Sequence, residues 1–248
     1  MFRAYKYRLY PSELQKELIA KHIGSSRFVY NLALETKTTA YLGSKHNFSP
    51  FDLIKQLPEL KKECEWLKEV NSQSLQQSIQ NMDIAFKKFF KGAGFPKFKS
   101  KRDRQSFSIP QNVIVENNLL IIPKFKEGID IVLHRPIKGT IKSATISVTP
   151  TGKYFVSILC DTKKDIPIKA PIEENTTIGI DLGIKDFAIT SQGEVFENPK
   201  YLRKAQSKLK YVQRKYSKHK GKRTKKKLAK LYEDVVNKRK DFLHKTST

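Results

Sequence analysis

The chain runs to 248 residues and carries 49 Lys and Arg against 24 Asp and Glu, a formal net charge of +25. That length gives room for one large or two modest domains with real cores, and 38% apolar with 10% aromatic residues excludes an intrinsically disordered chain. The charge excludes an acidic or neutral surface and points to a polyanionic partner, nucleic acid ahead of an acidic membrane, because each cation set against a phosphate releases condensed counterions.

Residues 2 to 10, FRAYKYRLY, interleave Tyr5, Tyr7 and Tyr10 with Arg3, Lys6 and Arg8 and stop at Pro11, which predicts a strand followed by a helix start. From Ser12 to Tyr41 the apolar positions Leu14, Leu18, Ile19, Ile23, Phe28, Val29, Leu32 and Ala33 recur at three and four, a helical signal with a break expected near Gly24. Ser49, Pro50 and Asp52 read as a cap, a first-turn proline and an acid at a helix start, with Pro58 ending that helix. Asn71 or Ser72 caps the next. Its apolar face carries Leu75, Ile79, Met82, Phe86 and Phe89, and its opposite face shows Gln76, Gln77, Gln80, Lys87 and Lys88. Cys64 and Cys160 fit neither a disulfide framework nor a four-ligand zinc site, so both are expected to be reduced and no zinc is expected.

Composition changes at Gly92. The segment GAGFPKFKSKRDRQ sets Lys97, Lys99, Lys101, Arg102 and Arg104 around Phe95 and Phe98, which suits phosphates and stacked bases; the competing reading is a hinge whose phenylalanines anchor it to the core. From Phe107 to Asp161, short β-branched runs alternate with turn residues and predict a small antiparallel barrel. The first ten residues supply another of its strands, with the helical block inserted between. Thr162 to Thr176 reads as a linker. Residues 199 to 248 hold 19 Lys and Arg against 3 acids, a net of +16, and predict two helices, Pro199 to His219 and Lys222 to His244, parted at Gly221. Lys222, Arg223, Lys225, Lys226 and Lys227 are too dense to neutralise one another and read as contacts to a nucleic-acid backbone.

The segment TIGIDLGIKDFAITSQGEVFE carries the chemistry. Ile178, Ile180 and Leu182 fall on one side of a strand, Asp181 on the other, Gly183 allows a close turn, and Lys185 to Thr190 returns as a second strand. An aspartate on the central strand of such a sheet suits two-metal phosphodiester cleavage, where a carboxylate bridging two Mg²⁺ about 4 Å apart clamps the attacking and leaving oxygens. Two other readings stay open: the G-I-D-L-G string of actin-like ATPases, which serves a Mg-nucleotide, and a structural aspartate capping the hairpin.

Taken in order, YKYRLYP, NSQSLQQSIQNMDIAFKKFF, GFPKFKSKRDRQSF and GIDLGIKDFAIT resemble the TnpB/OrfB proteins of insertion sequences, often labelled transposases, along nearly the whole chain. The resemblance implies an α+β protein: residues 1–10 as the first strand of a wedge-type, OB-like antiparallel barrel, 11–92 as a helix-turn-helix-like recognition insert, 93–165 as the rest of the barrel with its basic loop, and 166–248 as the first part of a RuvC nuclease domain of RNase H-like fold, incomplete and ending in long basic helices. It also implies an RNA-guided DNA endonuclease in which guide RNA from the transposon end reads sequence and the protein reads a short motif beside the double-stranded target. Asp181 is then the first RuvC carboxylate and a Mg²⁺ ligand, with Asp186 a lesser candidate, and Gln76, Gln77 and Gln80 lie near the target-adjacent duplex, where an amide suits adenine edges.

The chain departs from the family in lacking the later Glu and Asp of a RuvC site and the four-cysteine zinc module. After Glu197 the acids are Glu233, Asp234 and Asp241, all on a basic helix where pairing with neighbouring Lys and Arg is their plain reading. A C-terminally shortened copy that does not cut DNA alone is therefore expected, completed by a separately made C-terminal piece or persisting as a guide-dependent regulator or an inert remnant. No membrane partner is expected: no stretch approaches the roughly 18 uncharged apolar residues of a membrane span, and the N-terminus lacks the apolar core of a signal peptide. A cytoplasmic, nucleoid-associated protein of a prokaryote follows.

Overall fold

Strand β1 (Phe2–Tyr10) obeys the alternation of its sequence, with Tyr5, Tyr7 and Leu9 buried and Phe2, Lys6 and Tyr10 facing solvent. The computed structural model describes residues 1–166, 171–173, 175 and 177–247 and places β1 at the middle of a seven-stranded antiparallel sheet. The other strands are β2 (Gln105–Ile109), β3 (Ile114–Glu116), β4 (Leu119–Ile122), β5 (Phe125–Val132), β6 (Thr140–Val148) and β7 (Tyr154–Asp161), in the order β2-β6-β7-β1-β5-β4-β3. β1 pairs with β7 from Phe2↔Asp161 to Leu9↔Tyr154 and with β5 at Arg8↔Val132, so the first strand is separated from the rest by the helical block, as expected.

The ladders run in one open order with β2 and β3 at its ends, rather than closing into the expected barrel. Strands of five and three residues offer few backbone pairs for closure. One apolar core nevertheless draws on six of the seven strands, with Tyr7, Leu9, Ile109, Leu120, Ile129 and Ile146 fully buried. Burial of each such side chain stabilises by roughly 1.5–3 kcal/mol. Ile19 and Ile23 join this core from the first helix.

That helix, α1 (Glu13–Ser44), starts at a capping box in which Ser12 accepts from the Gln15 backbone N–H and Gln15 accepts from the Ser12 backbone N–H. It runs through Gly24 without the break the sequence suggested. One interior glycine costs only about 1 kcal/mol, and the buried Ile23, Ser25 and Ser26 hold the helix on either side. Ser49 and Asp52 form the expected cap of α2 (Pro50–Lys55). Pro58, expected to stop α2, instead sits in the first turn of α3 (Leu57–Glu63), where its missing N–H leaves no bond unmade. After a short 3₁₀ turn, Asn71 caps α4 (Ser72–Phe89) by accepting from the Gln73 N–H. Val29, Leu34, Leu67, Leu75, Ile79 and Met82 build a second core among these helices.

The chain divides into two units, Met1–Asp165 and Ile166–Thr248. The second contains a three-stranded antiparallel sheet of β8 (Ile180–Leu182), β9 (Asp186–Thr190) and β10 (Val195–Glu197), in the order β10-β9-β8. α5 (Tyr201–His219) and α6 (Lys222–Thr246) follow, within a residue or two of their predicted spans. The break between them is a left-handed Lys220, φ 41°, with Gly221 capping α6. Leu209, Val212 and Val235 are buried, and the Phe187 ring of β9 meets Phe242 of α6 edge-on at 5.0 Å. Of the linker predicted over 162–176, residues 167–170, 174 and 176 lie outside the described residues.

Candidate functional site

The strand that carries Asp181 is an edge. β9 is the central strand of the three, so the expectation of an aspartate on a central strand is corrected: the register pairs β8 with β9 alone, Asp181↔Ile189 and Leu182↔Ala188. Gly183 closes the turn as anticipated, for a Cβ there would meet the Asp186 carbonyl oxygen at 2.9 Å. Asn198 holds the same turn from below, its Nδ2 donating to the Ile184 carbonyl oxygen at 2.9 Å. Asp181 is exposed, and so are Ile178, Ile180 and Leu182, at 48%, 63% and 71% of their surface.

Asp186 lies half-buried at the start of β9 and pairs in register with Glu197 of β10. Strand alternation puts Asp186 on the side of Ala188 and Leu182, opposite Asp181. The two aspartates therefore do not converge. Among the described residues no group of three His, Cys, Asp or Glu side chains could hold a metal ion. A two-Mg²⁺ clamp needs several carboxylates around one point, so the residues present do not fit such a centre. The late acids pair as the sequence suggested: Asp234 with Lys238 at 2.9 Å and Asp241 with Lys245 at 2.8 Å, each one helical turn apart. Cys64 and Cys160 are free thiols, and burial raises the pKa of Cys160 inside the sheet core.

The basic residues divide into free and engaged groups. Lys222, Arg223, Lys225, Lys226 and Lys227 are exposed in the first turns of α6, a dense cationic row. In the loop, Lys97, Lys101, Arg102 and Arg104 are exposed. Lys99 is different. Its backbone exchanges two hydrogen bonds with the Asn31 side chain, the Lys99 N–H donating at 2.8 Å and the Asn31 amide donating back at 3.0 Å, while its ammonium lies 3.8 Å from the centroid of the Tyr30 ring. Enclosure around that ammonium pushes its pKa below the ordinary lysine value, although the residue as a whole is exposed.

Asp103 caps the loop by accepting from the Ser100 N–H at 2.6 Å, and this bond draws its carboxyl pKa down. Phe95 packs edge-on against Phe86 and Phe89, the anchoring use that was left open, whereas Phe98 remains 60% exposed. On α4 the glutamine row is uneven. Gln80 is exposed, Gln76 and Gln77 are half-buried, and Gln77 donates to Asn81 at 3.3 Å. Lys87 is paired with the nearly buried Asp83 at 2.9 Å. Sequence reading missed Asn31 and Arg27, whose guanidinium donates to Gln105 at 2.9 Å; both act on segments about 70 or more positions away.

No helix among the described residues is long and apolar enough to cross a membrane. Compared with known proteins, residues 157–248 match the OrfB_IS605 family, described as "Probable transposase", and residues 1–45 match its helix-turn-helix domain. The chain is 36% identical over 258 aligned positions to a "Putative RNA-guided DNA endonuclease" of Streptomyces pristinaespiralis and 31% identical over 256 to one named InsQ in Escherichia coli K12. These alignments take in 99% of this chain but 63% and 62% of the relatives, so it spans just under two thirds of their length. Against a chain in a solved Cas12f1–sgRNA–target DNA complex, 99% of this chain overlays 68% of that one at 12% identity and a TM-score of 0.35, too slight a likeness to argue from.

Proposed function

The chain belongs to the OrfB_IS605 family, and from that premise we propose that it is a nucleic-acid-binding protein of the RNA-guided endonuclease type that does not cleave DNA alone. Its partners are a guide RNA from the transposon end and a double-stranded DNA carrying a short target-adjacent motif. The seven-stranded sheet, open as it is, stands in the place of the family's wedge-type domain, the helices inserted after β1 are its recognition domain, and the unit from Ile166 is its RuvC, RNase H-like part. One observation carries the separation of binding from cutting: Asp181 stands exposed on an edge strand with Asp186 on the opposite side of the sheet.

Asp181 would serve a divalent ion only with further carboxylates from outside the described residues, which bring no group of three metal-ligating side chains together. The apolar side chains of Ile180 and Leu182, left in water, support a further polypeptide covering β8, such as a separately made C-terminal piece. Binding itself rests on the free cations of the loop and of α6, which contact backbone phosphates irrespective of sequence. Gln80 is the glutamine most open to a base edge.

The test is direct. The full chain, purified with its co-expressed flanking transposon RNA, is incubated with Mg²⁺ and a guide-matched duplex; RNA of defined ends is expected to co-purify and the duplex to stay intact. Cutting that Asp181→Ala abolishes would overturn the inactivity. A smear of unrelated RNA would reduce the binding to electrostatics and make the chain an inert remnant.

A further inference from the structure

A cleft of about 70 Å³ opens where α1, α4 and the entry to β2 meet, lined by Ser26, Arg27, Ser78, Asn81, Arg104 and Ser106 among others. That space exceeds the roughly 10–15 Å³ a single water needs, room for a small compact group. Among the described residues no carboxylate lines it, while the backbone segment carrying Lys99 adds a third basic residue to Arg27 and Arg104.

Two features lack an explanation in the chain itself. Ser26 is 6% exposed and its hydroxyl has no hydrogen-bond partner among the described residues. A buried orphan hydroxyl costs roughly 1–3 kcal/mol unless something outside the chain satisfies it. Arg27 donates once, to the neutral Gln105 side chain, and forms no ion pair among the described residues. A guanidinium has five N–H donors in a fixed fork, so most of its capacity stays open beside a polar, acid-free cleft.

We propose that this cleft seats one phosphodiester of a bound nucleic acid, with Arg27 and Arg104 neutralising the charge and the Ser26 and Ser106 hydroxyls donating to its oxygens. The assignment rests on the reading that the chain binds nucleic acid. The site lies between the glutamine-bearing helix and the basic loop, so a strand held there is fixed in register against both. A hydroxyl that is orphaned in the free protein and bonded in the complex is what a built anion seat requires.

The experiment measures binding of a fluorescein-labelled single-stranded RNA to the full chain by anisotropy over a range of KCl, with melting temperatures recorded in parallel. Arg27→Gln is expected to weaken binding about tenfold and to flatten the log K against log salt slope by about 0.7, the share of one phosphate on a single strand. Arg27→Lys keeps most of the slope, and Ser26→Ala weakens binding a few-fold with a melting temperature unchanged or raised. Wild-type affinity and slope in both Arg27→Gln and Ser26→Ala, with both folded, would overturn the seat. Stabilisation by inorganic phosphate that Arg27→Gln abolishes, with RNA affinity unmoved, would overturn the backbone assignment in favour of a free anion. Wild-type chain that fails to bind RNA at all would bring down the proposed function and this seat together, and is distinguished by that.

Discussion

His22 ties three parts of the first unit together, and its removal is expected to loosen all three. The imidazole is 1% exposed. Its Nδ1 lies 2.8 Å from the Leu18 carbonyl oxygen one turn back in α1, and its Nε2 accepts the Asn71 backbone N–H at 3.0 Å. That pair of partners makes Nδ1 the protonated nitrogen. The ring also lies against Phe107 of β2 at 4.7 Å and Phe125 of β5 at 5.4 Å. Since Asn71 caps α4, the histidine fixes where the glutamine-bearing helix begins relative to the sheet.

His22→Ala leaves the Asn71 N–H without its partner, about 1–3 kcal/mol, and opens a cavity between two aromatic rings. Together these give an expected loss of about 2–4 kcal/mol. Urea unfolding followed through Trp66, the chain's one tryptophan, reads the first unit without confusion from the second. A change below about 0.5 kcal/mol, the scale of ordinary surface substitutions, would refute the reasoning. Acid tests the same contact. Burial lowers the His22 pKa, the bond to Leu18 opposes part of that shift, and nearby Lys124 adds to it. The unfolded chain thus binds the proton first, so stability is complete above about pH 6.5 and falls as pH drops toward the folded value, by up to about 1.4 kcal/mol per pH unit. His22→Gln should flatten that fall; an unchanged pH slope in the variant would place the titration elsewhere.

Further expectations follow from single contacts. Asn31→Ala removes both hydrogen bonds that hold Lys99, so limited trypsinolysis within residues 97–104 should speed up about tenfold, for about 1–2 kcal/mol of lost anchoring; an unchanged rate would mean the loop is held otherwise. Gly139→Ala sets a Cβ 2.3 Å from the Asp161 carbonyl oxygen at φ +101°, so the urea midpoint read through Trp66 should fall by the equivalent of 2 kcal/mol or more, roughly. Replacing Lys222, Arg223, Lys225, Lys226 and Lys227 by Gln should flatten the salt slope of duplex DNA binding by about 4.5, at about 0.9 per phosphate; a change below one would show that the row faces no backbone.

Local patterns were legible where neighbours in sequence decide the structure. The alternation in FRAYKYRLY, the Ser49–Asp52 cap, the Asn71 cap and the two basic helices follow from side-chain period and capping chemistry alone. The break expected at Gly24 failed because tertiary burial of Ile23, Ser25 and Ser26 outweighs a propensity cost of about 1 kcal/mol. What could not be read were pairings across the chain. Lys99 looked like one of five equal cations, yet Asn31, 68 positions earlier, draws it onto α1. Arg27 was invisible as a site residue because Gln105, 78 positions on, brings it to the loop. The glutamine face was readable as a face, but which amide stays open was not, since the burial of Gln76 and Gln77 depends on what packs beside α4.

Asp181 shows the same division between local and long-range information, and it yields a testable consequence. The Gly183 turn was written in the residues beside it; the position of β8 at an edge was not, because strand order depends on the partners present. An edge with Ile180 and Leu182 largely exposed offers unpaired backbone groups and apolar surface together, the combination that natural sheets usually blunt with charge. Two lysines at these positions would supply that charge while leaving the buried Ala188, Leu209, Val212 and Val235 themselves unchanged. Ile180→Lys with Leu182→Lys should therefore leave helix content by circular dichroism unchanged and reduce concentration-dependent association in sedimentation velocity. Association as strong as that of the unaltered chain would show that β8 is not the surface responsible, and would remove the support its apolar side chains give to a covering polypeptide.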